Sequence, residues 1–189
     1  VSKYLIAGLG NIGAKYHHTR HNIGFEVLDH LVDGSGTFFS SGRYADVAQM
    51  RVKNAQLVLI KPTTYMNLSG KAVNYWLQQE KIPLQNLLVV VDELALPLGA
   101  LRLKAKGSDG GHNGLKHINQ VLGRQDYARL RFGIGNDFPK GQQVNFVLGE
   151  WTAPEKKILE PRIQEASEAI KTFCLAGINV AMNKHNGQA

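Results

Sequence analysis

The stretch "NLLVVVDE", residues 86 to 93, restricts the fold more than any other part of the chain. Its run from Leu87 to Val91 is apolar without interruption. Successive strand residues point to opposite faces, so an extended chain here is apolar on both of its faces. A strand of that kind belongs inside a sheet that is covered on each side, as in parallel α/β sheets, and not in a sandwich with one wet face. The run ends on Asp92 and Glu93, which places two carboxylates at the carboxyl end of a central strand.

The rest of the chain supplies the covering layers. "KYLIAGLG" reads as a short buried strand that runs into a glycine turn. Ile23, Val27, Leu28 and Leu31 recur at helical spacing within residues 22 to 33, and "DGSG" stops that helix. "ADVAQMRV" and "QLVLIKP" read as a hairpin turning at Lys53-Asn54. A helix over "MNLSGKAVNYWLQQEKI" carries Leu68, Val73, Trp76 and Leu77 on one face and ends before Pro83. Beyond the central strand come "ALRLK", the glycine-rich "GSDGGHNG", a helix through Leu115, Ile118, Val121 and Leu122, and the strand "ARLRFGIG". A polar loop "NDFPKGQQ", a long amphipathic helix over 154 to 173 and a short one over 177 to 185 complete the chain. The 189 residues carry no linker and no repeat, and suit one core. The expectation is a single α/β domain over residues 1–189, with a mixed, mostly parallel twisted sheet flanked by helices. In such sheets functional groups gather beyond the carboxyl ends of the strands, where Asn11, Asp92 and His112-Asn113 fall.

Charge points to a class of partner. Lys and Arg number 22 against 15 acids, a formal net charge of +7. Between Leu101 and Arg131 the bases Arg102, Lys104, Lys106, Lys116, Arg124, Arg129 and Arg131 face only Asp109 and Asp126, which concentrates five of the excess charges in a sixth of the chain. "LRLK" and "RLR" have period two, so each pair of bases points to one face of its strand. A focused basic face suits a polyanion, most simply nucleic acid. No apolar run approaches the roughly 20 residues of a membrane-spanning helix, and no signal-peptide layout opens the sequence. The single Cys174 lies in a helical pattern, as a small buried apolar residue of a protein from a reducing cytoplasm.

Several familiar motifs fail on context. Gly8, Gly10 and Gly13 spell G-x-G-x-x-G, but the helix begins near Asn22, too late to bring its N-terminus to a pyrophosphate, so a tight turn explains these glycines better. "SGKAV" lacks the earlier glycine and the hydroxyl of a phosphate-binding loop. His17 and His21 are four apart without a helix or a further ligand beside them, which disfavours a metal. No nucleophile elbow is present, and Cys174 is too apolar in its setting for a thiolate. What remains is an imidazole, His21, able to deprotonate water, with Asp92 able to hold its tautomer, and Asn11, Asn67 and Asn113 as neutral amides able to place a carbonyl, a water or an oxyanion.

The segments "GLGNIG..Y...RHNIGF", "KPTTYMNLSGKAV", "VVVDELALPLG", "GSDGGHNGLKHI", "RLRFGIG" and "MNKHNG", in this order and spacing, closely resemble bacterial-type peptidyl-tRNA hydrolase over essentially the whole chain. The resemblance implies a phosphorylase/hydrolase-like fold and cleavage of the ester that joins a peptide to the 3′ ribose of tRNA. It also implies a monomer that needs neither metal nor organic cofactor. It makes His21 the general base, Asp92 its supporting carboxylate, and Asn11 the residue that distinguishes an N-blocked from a plain aminoacyl substrate. Tyr16, Tyr65, Asn67 and Asn113, flanked by Met66 and His112, would receive the 3′ end and the peptide, and Arg102, Lys104 and Arg131 would clamp tRNA phosphate. Ile12, Ala95 and Asn136 depart from common family residues, which bears on RNA affinity more than on the proposed catalytic groups. Two other readings are an RNA-binding protein of this fold that has lost catalysis, as in some splicing factors, and a nucleotide-dependent oxidoreductase built on the three glycines. The loop "NDFPKGQQ" is expected to act as a mobile lid.

Overall fold

The computed structural model describes residues 2–187. Seven strands form one sheet: β1 (Ser2–Gly8), β2 (Ser40–Gly42), β3 (Ala45–Val52), β4 (Ala55–Pro62), β5 (Leu87–Glu93), β6 (Leu101–Lys104) and β7 (Ala128–Gly133). Their order across the sheet is β2-β3-β4-β1-β5-β7-β6. The middle pairings β4–β1, β1–β5 and β5–β7 are parallel, and the pairings toward both edges are antiparallel. β5 has strands on both sides and is buried from Leu87 to Asp92, as its apolar run requires.

The helices are α1 (Ile23–Val32), α2 (Ser69–Gln79), α3 (Asn113–Leu122), α4 (Gln143–Val147), α5 (Ala153–Ala176) and α6 (Ile178–His185). Alternation along the strands divides the core. Ile6, Leu57, Leu59, Leu88, Val90, Leu130 and Phe132 pack with α1 and α5, whereas Leu5, Ala7, Val58, Ile60, Val89 and Val91 pack with α2 and α3. Two elements had no signal in the sequence: the three exposed residues of β2 and the single turn of α4. The helix expected from Met66 starts instead with a 3₁₀ turn, Met66–Leu68, before α2.

The glycines of the first turn serve close packing. A Cβ on Gly24, in α1, would lie 2.5 Å from the Leu9 nitrogen, and one on Gly8 would lie 2.3 Å from the Gly24 carbonyl oxygen. The start of α1 therefore rests directly on the end of β1. Only Gly13 of the fingerprint needs glycine for its backbone angle, with φ at 115°. At the other end of the chain α6 is anchored by buried His185, which bonds Glu165 and Thr172 of α5. The next residue, Asn186, accepts from the Leu103 N–H at 2.7 Å and donates to the Leu103 carbonyl at 2.9 Å. A side-chain amide thus pairs with the outer edge of β6 as a neighbouring strand would.

Candidate active site

At the carboxyl ends of β1, β4 and β5 the chain brings several of the predicted residues together. Asp92, on β5, is only 4% exposed. One of its oxygens lies 2.7 Å from His21 Nδ1, and the other lies 2.7 Å from His112 Nε2. The remaining nitrogen of His112, Nδ1, accepts from the backbone N–H groups of Gly114 and Leu115 and so caps α3. A nitrogen that accepts there carries no proton, so His112 is protonated on Nε2 and donates to Asp92. His21 likewise donates its Nδ1–H to the carboxylate. Its Nε2 has no protein partner among the described residues and, in the neutral ring, holds a lone pair. Burial by itself would push the Asp92 carboxyl up, but the electrostatic pull and N–H donors of His21 and His112, one at each oxygen, outweigh burial and hold it well below the usual carboxylate range.

The turn that carries His21 is fixed from both sides. Arg20, buried, donates to the Phe146 carbonyl and to Glu155, and its guanidinium lies 4.3 Å from the centre of the Phe146 ring. Glu155 also closes the capping box at Thr152 that begins α5. On the other side Asn22 accepts from the Asn11 N–H at 2.7 Å and donates to the Asn11 carbonyl at 2.9 Å. Neither Arg20 nor Asn22 was singled out by the sequence reading; their only signal was their place on either side of His21. The Asn11 side-chain oxygen in turn accepts from the Met66 N–H at 2.7 Å. That bond fixes which end of the amide is oxygen and leaves Nδ2 without a protein acceptor among the described residues.

Asn113, the first residue of α3, lines a cavity of about 130 Å³ together with His21, Asp92, Glu93, His112 and Arg131. Gly110 and Gly111, both at positive φ, form its loop wall, and Gln143, Val144 and Val147 of α4 its outer wall. Tyr65 and Asn67 lie exposed on the turn that Asn11 holds, and Tyr16 lies half-buried in the 3₁₀ turn Ala14–Tyr16; none of the three lines this cavity. Met66 departs from expectation. Its side chain is buried in the core, and a Cβ on Gly114 would lie 2.8 Å from its sulfur. It offers its backbone N–H to Asn11.

The basic strands place their four cations in two settings. Arg102 and Lys104 are exposed on β6, and they stand directly opposite Arg131 and Arg129 on β7. The period-two reading of orientation holds, but Arg129 and Arg131 are buried. Arg131 bonds Glu93 at 2.9 Å and the Ser108 carbonyl at 2.9 Å, and Arg129 bonds the carbonyls of Ser108, Gln125 and Tyr127. Both arginines therefore brace the glycine loop that leads to His112. His17 is exposed, and His18, also exposed, pairs with Glu26 at 2.6 Å. Burial pushes the Cys174 thiol up to about 12, which suits a packed apolar residue and not a nucleophile.

His21, Asp92 and His112 also offer one ligand atom each within 4.8 Å of one another. A cation bound among them would have to displace the two N–H donors that Asp92 now accepts. As arranged, the donor set is that of a hydrogen-bonded acid–base relay.

Comparison with known proteins identifies the family of the chain. The sequence model of a family described as peptidyl-tRNA hydrolase matches residues 5–189. The peptidyl-tRNA hydrolase of Phocaeicola vulgatus is 62% identical over 184 residues, which cover 97% of this chain and 98% of that protein. That of Cytophaga hutchinsonii is 55% identical, with the same two shares covered. Among solved structures, the crystal structure of peptidyl-tRNA hydrolase from Acinetobacter baumannii superposes with a TM-score of 0.91 at 33% identity, over 97% of this chain and 94% of that one. A uridine phosphorylase from Vibrio fischeri shares the fold alone, with a TM-score of 0.55 at 10% identity over 90% and 91% of the two chains. With identity this high over nearly its whole length, the chain belongs to the peptidyl-tRNA hydrolase family.

Proposed function

We propose that the protein hydrolyses the ester between a peptide and the 3′ ribose of tRNA, with His21 as general base. The observation that carries this reading is the division of labour on the His21 ring: Nδ1 is committed to Asp92 at 2.7 Å while Nε2 is unpaired on a ring that lines the cavity. Nε2 takes a proton from water as the oxygen attacks the ester carbonyl, and Asp92 stabilises the imidazolium that forms. Collapse of the tetrahedral intermediate breaks the bond to the ribose oxygen, which takes the proton back from His21, giving a free tRNA terminus and a peptide carboxylic acid that releases its proton to solvent. Asn113, exposed at the head of α3, donates to the developing oxyanion. Asn67 and Tyr65 flank the bound 3′ end, with Tyr16 beyond them.

Asn11 provides a chemical reason for preferring peptidyl over aminoacyl substrates. Its oxygen is occupied by the Met66 N–H, so toward the substrate it can only donate. A peptide carbonyl accepts from Nδ2, whereas the free ammonium of an aminoacyl group would set donor against donor. Arg102 and Lys104, exposed on β6, meet tRNA phosphates. The protein acts as a monomer in the cytoplasm. In the described residues no helix is long and apolar enough to cross a membrane.

Release of N-acetyl-aminoacyl groups from tRNA, in the presence of EDTA, tests the reading. The wild type should cleave the ester, and His21→Ala should lose about 10²–10⁴-fold in kcat with tRNA binding retained. A wild type that binds the tRNA and leaves the ester intact would place a non-catalytic RNA-binding role first.

A further inference from the structure

Asn11 does not line the cavity beside His21; it opens onto a different hollow. That cleft, of about 410 Å³, is lined by Asn11, Ile12, Phe25, Asp46, Lys61 and Thr63, among others. Lys61 also borders a broader hollow of about 860 Å³, which is walled by Asp29, Thr37, Phe38 and Phe39. At this junction the Lys61 ammonium lies 2.6 Å from Asp29 and 4.2 Å from the centre of the Phe39 ring. We infer that the two hollows form one groove that receives the peptide arm of the substrate, running from Asn11 over Ile12 and Phe25, past Lys61, to Phe38. The inference rests on the reading of the protein as a peptidyl-tRNA hydrolase.

Three observations support it. The sheet order puts the exposed cations of β6 and the strands β3 and β4 on opposite sides of Asp92. With strands spaced about 4.8 Å, β4 and β6 are roughly 19 Å apart, so a substrate whose ester sits at β5 has its two arms directed to different edges. The charge of the groove is also wrong for RNA. Asp29, Asp33 and Asp46 border it, and its single lysine is already paired with one of them. Finally, two of its apolar residues are exposed without a role in the core: Phe38 is 83% exposed and Ile12 is 43% exposed. A shallow, apolar, partly aromatic floor with no deep pocket suits a polypeptide of any sequence. Asn11 borders the groove and is bonded to Asn22, the residue next to His21, so the groove begins beside the turn that carries His21.

The test compares two substrates, N-acetyl-aminoacyl-tRNA and a pentapeptidyl-tRNA ending in the same residue. Phe38→Ser should lower the ratio of kcat/KM for the long substrate over the short one by about fivefold, whereas Phe38→Tyr should preserve it. A benzophenone on the fourth peptide residue back from the ester, bound to His21→Ala and irradiated, should label residues 32–39 or 61. If the wild type cleaves neither substrate, the catalytic reading fails. If it cleaves both, but Phe38→Ser leaves the ratio unchanged and the label falls on α2 or α3, the groove is overturned while the catalytic reading stands.

Discussion

Asp92 has two oxygens, and each is used by a different ring. Asp92→Asn keeps the shape but turns one acceptor into a donor, so it can serve His21 or His112 and not both. A fall in kcat of about 10²–10⁴-fold is expected, larger than any change in KM, in steady-state assays on N-acetyl-aminoacyl-tRNA. The same residue gives a signed pH dependence. A carboxyl held below its unfolded value of about 3.9 contributes stability that is complete above that pH and is lost as pH falls toward the folded value. Urea unfolding should therefore show the wild type more stable than Asp92→Asn at pH 7, and the gap should close as the pH is taken below 4. A gap that widens in acid would contradict the arrangement. At this scale the sequence told much about reactive groups and little about their supports. His21, Asp92 and the asparagines stand out because their chemistry is unusual at strand ends. Arg20 and Asn22 act through backbone carbonyls and N–H groups far away in sequence, and no local pattern encodes such bonds. The burial of Met66 and Arg131 was not legible for a related reason: which side of a residue is covered depends on distant segments, here α3 beside Met66 and Glu93 with the glycine loop around Arg131.

At the scale of elements, α3 couples stability to the site, because His112 is at once its cap and a donor to Asp92. His112→Ser separates the two roles. A serine caps the helix but does not reach the carboxylate, so thermal stability should stay near wild type while kcat falls. His112→Ala should lose both, with about 1 kcal/mol of stability gone in denaturant titrations. Gly24 sets how closely α1 approaches β1. The added methyl of Gly24→Ala would meet the Leu9 backbone, and the expected cost is about 3 kcal/mol, visible as a lowered Tm. Most elements were legible because their apolar periods are clear, the all-apolar run of β5 above all. β2 and α4 were not, since three exposed residues and one turn of helix carry no period. The pairing of Arg102 with Arg131 and of Lys104 with Arg129 follows the alternation seen in sequence, but alternation names a face without saying what lies over it.

For the whole molecule, the charge surplus over residues 101 to 131 divides into a surface part and a bracing part. Arg102→Ala and Lys104→Ala should each reduce the slope of log affinity against log salt by about one unit in tRNA-binding titrations. Arg131→Ala should chiefly lower stability and loosen the glycine loop, with a smaller effect on that slope. The polar loop between β7 and α4 is expected to open on the way to substrate binding, and its amides, residues 136–142, should exchange rapidly in the free protein. The amide of Asn186 against β6 has a consequence for how the protein is made. The two residues it joins are 83 positions apart. At about 5–20 residues per second a ribosome takes roughly 4 to 17 s to add that length, so Leu103 emerges ahead of Asn186 by that interval, and once β7 has paired, the outer edge of β6 still waits for its partner. Vectorial synthesis thus gives this sheet a period of exposure to other nascent strands, and its exposed Arg102 and Lys104 are well placed to discourage such pairing until residue 186 arrives.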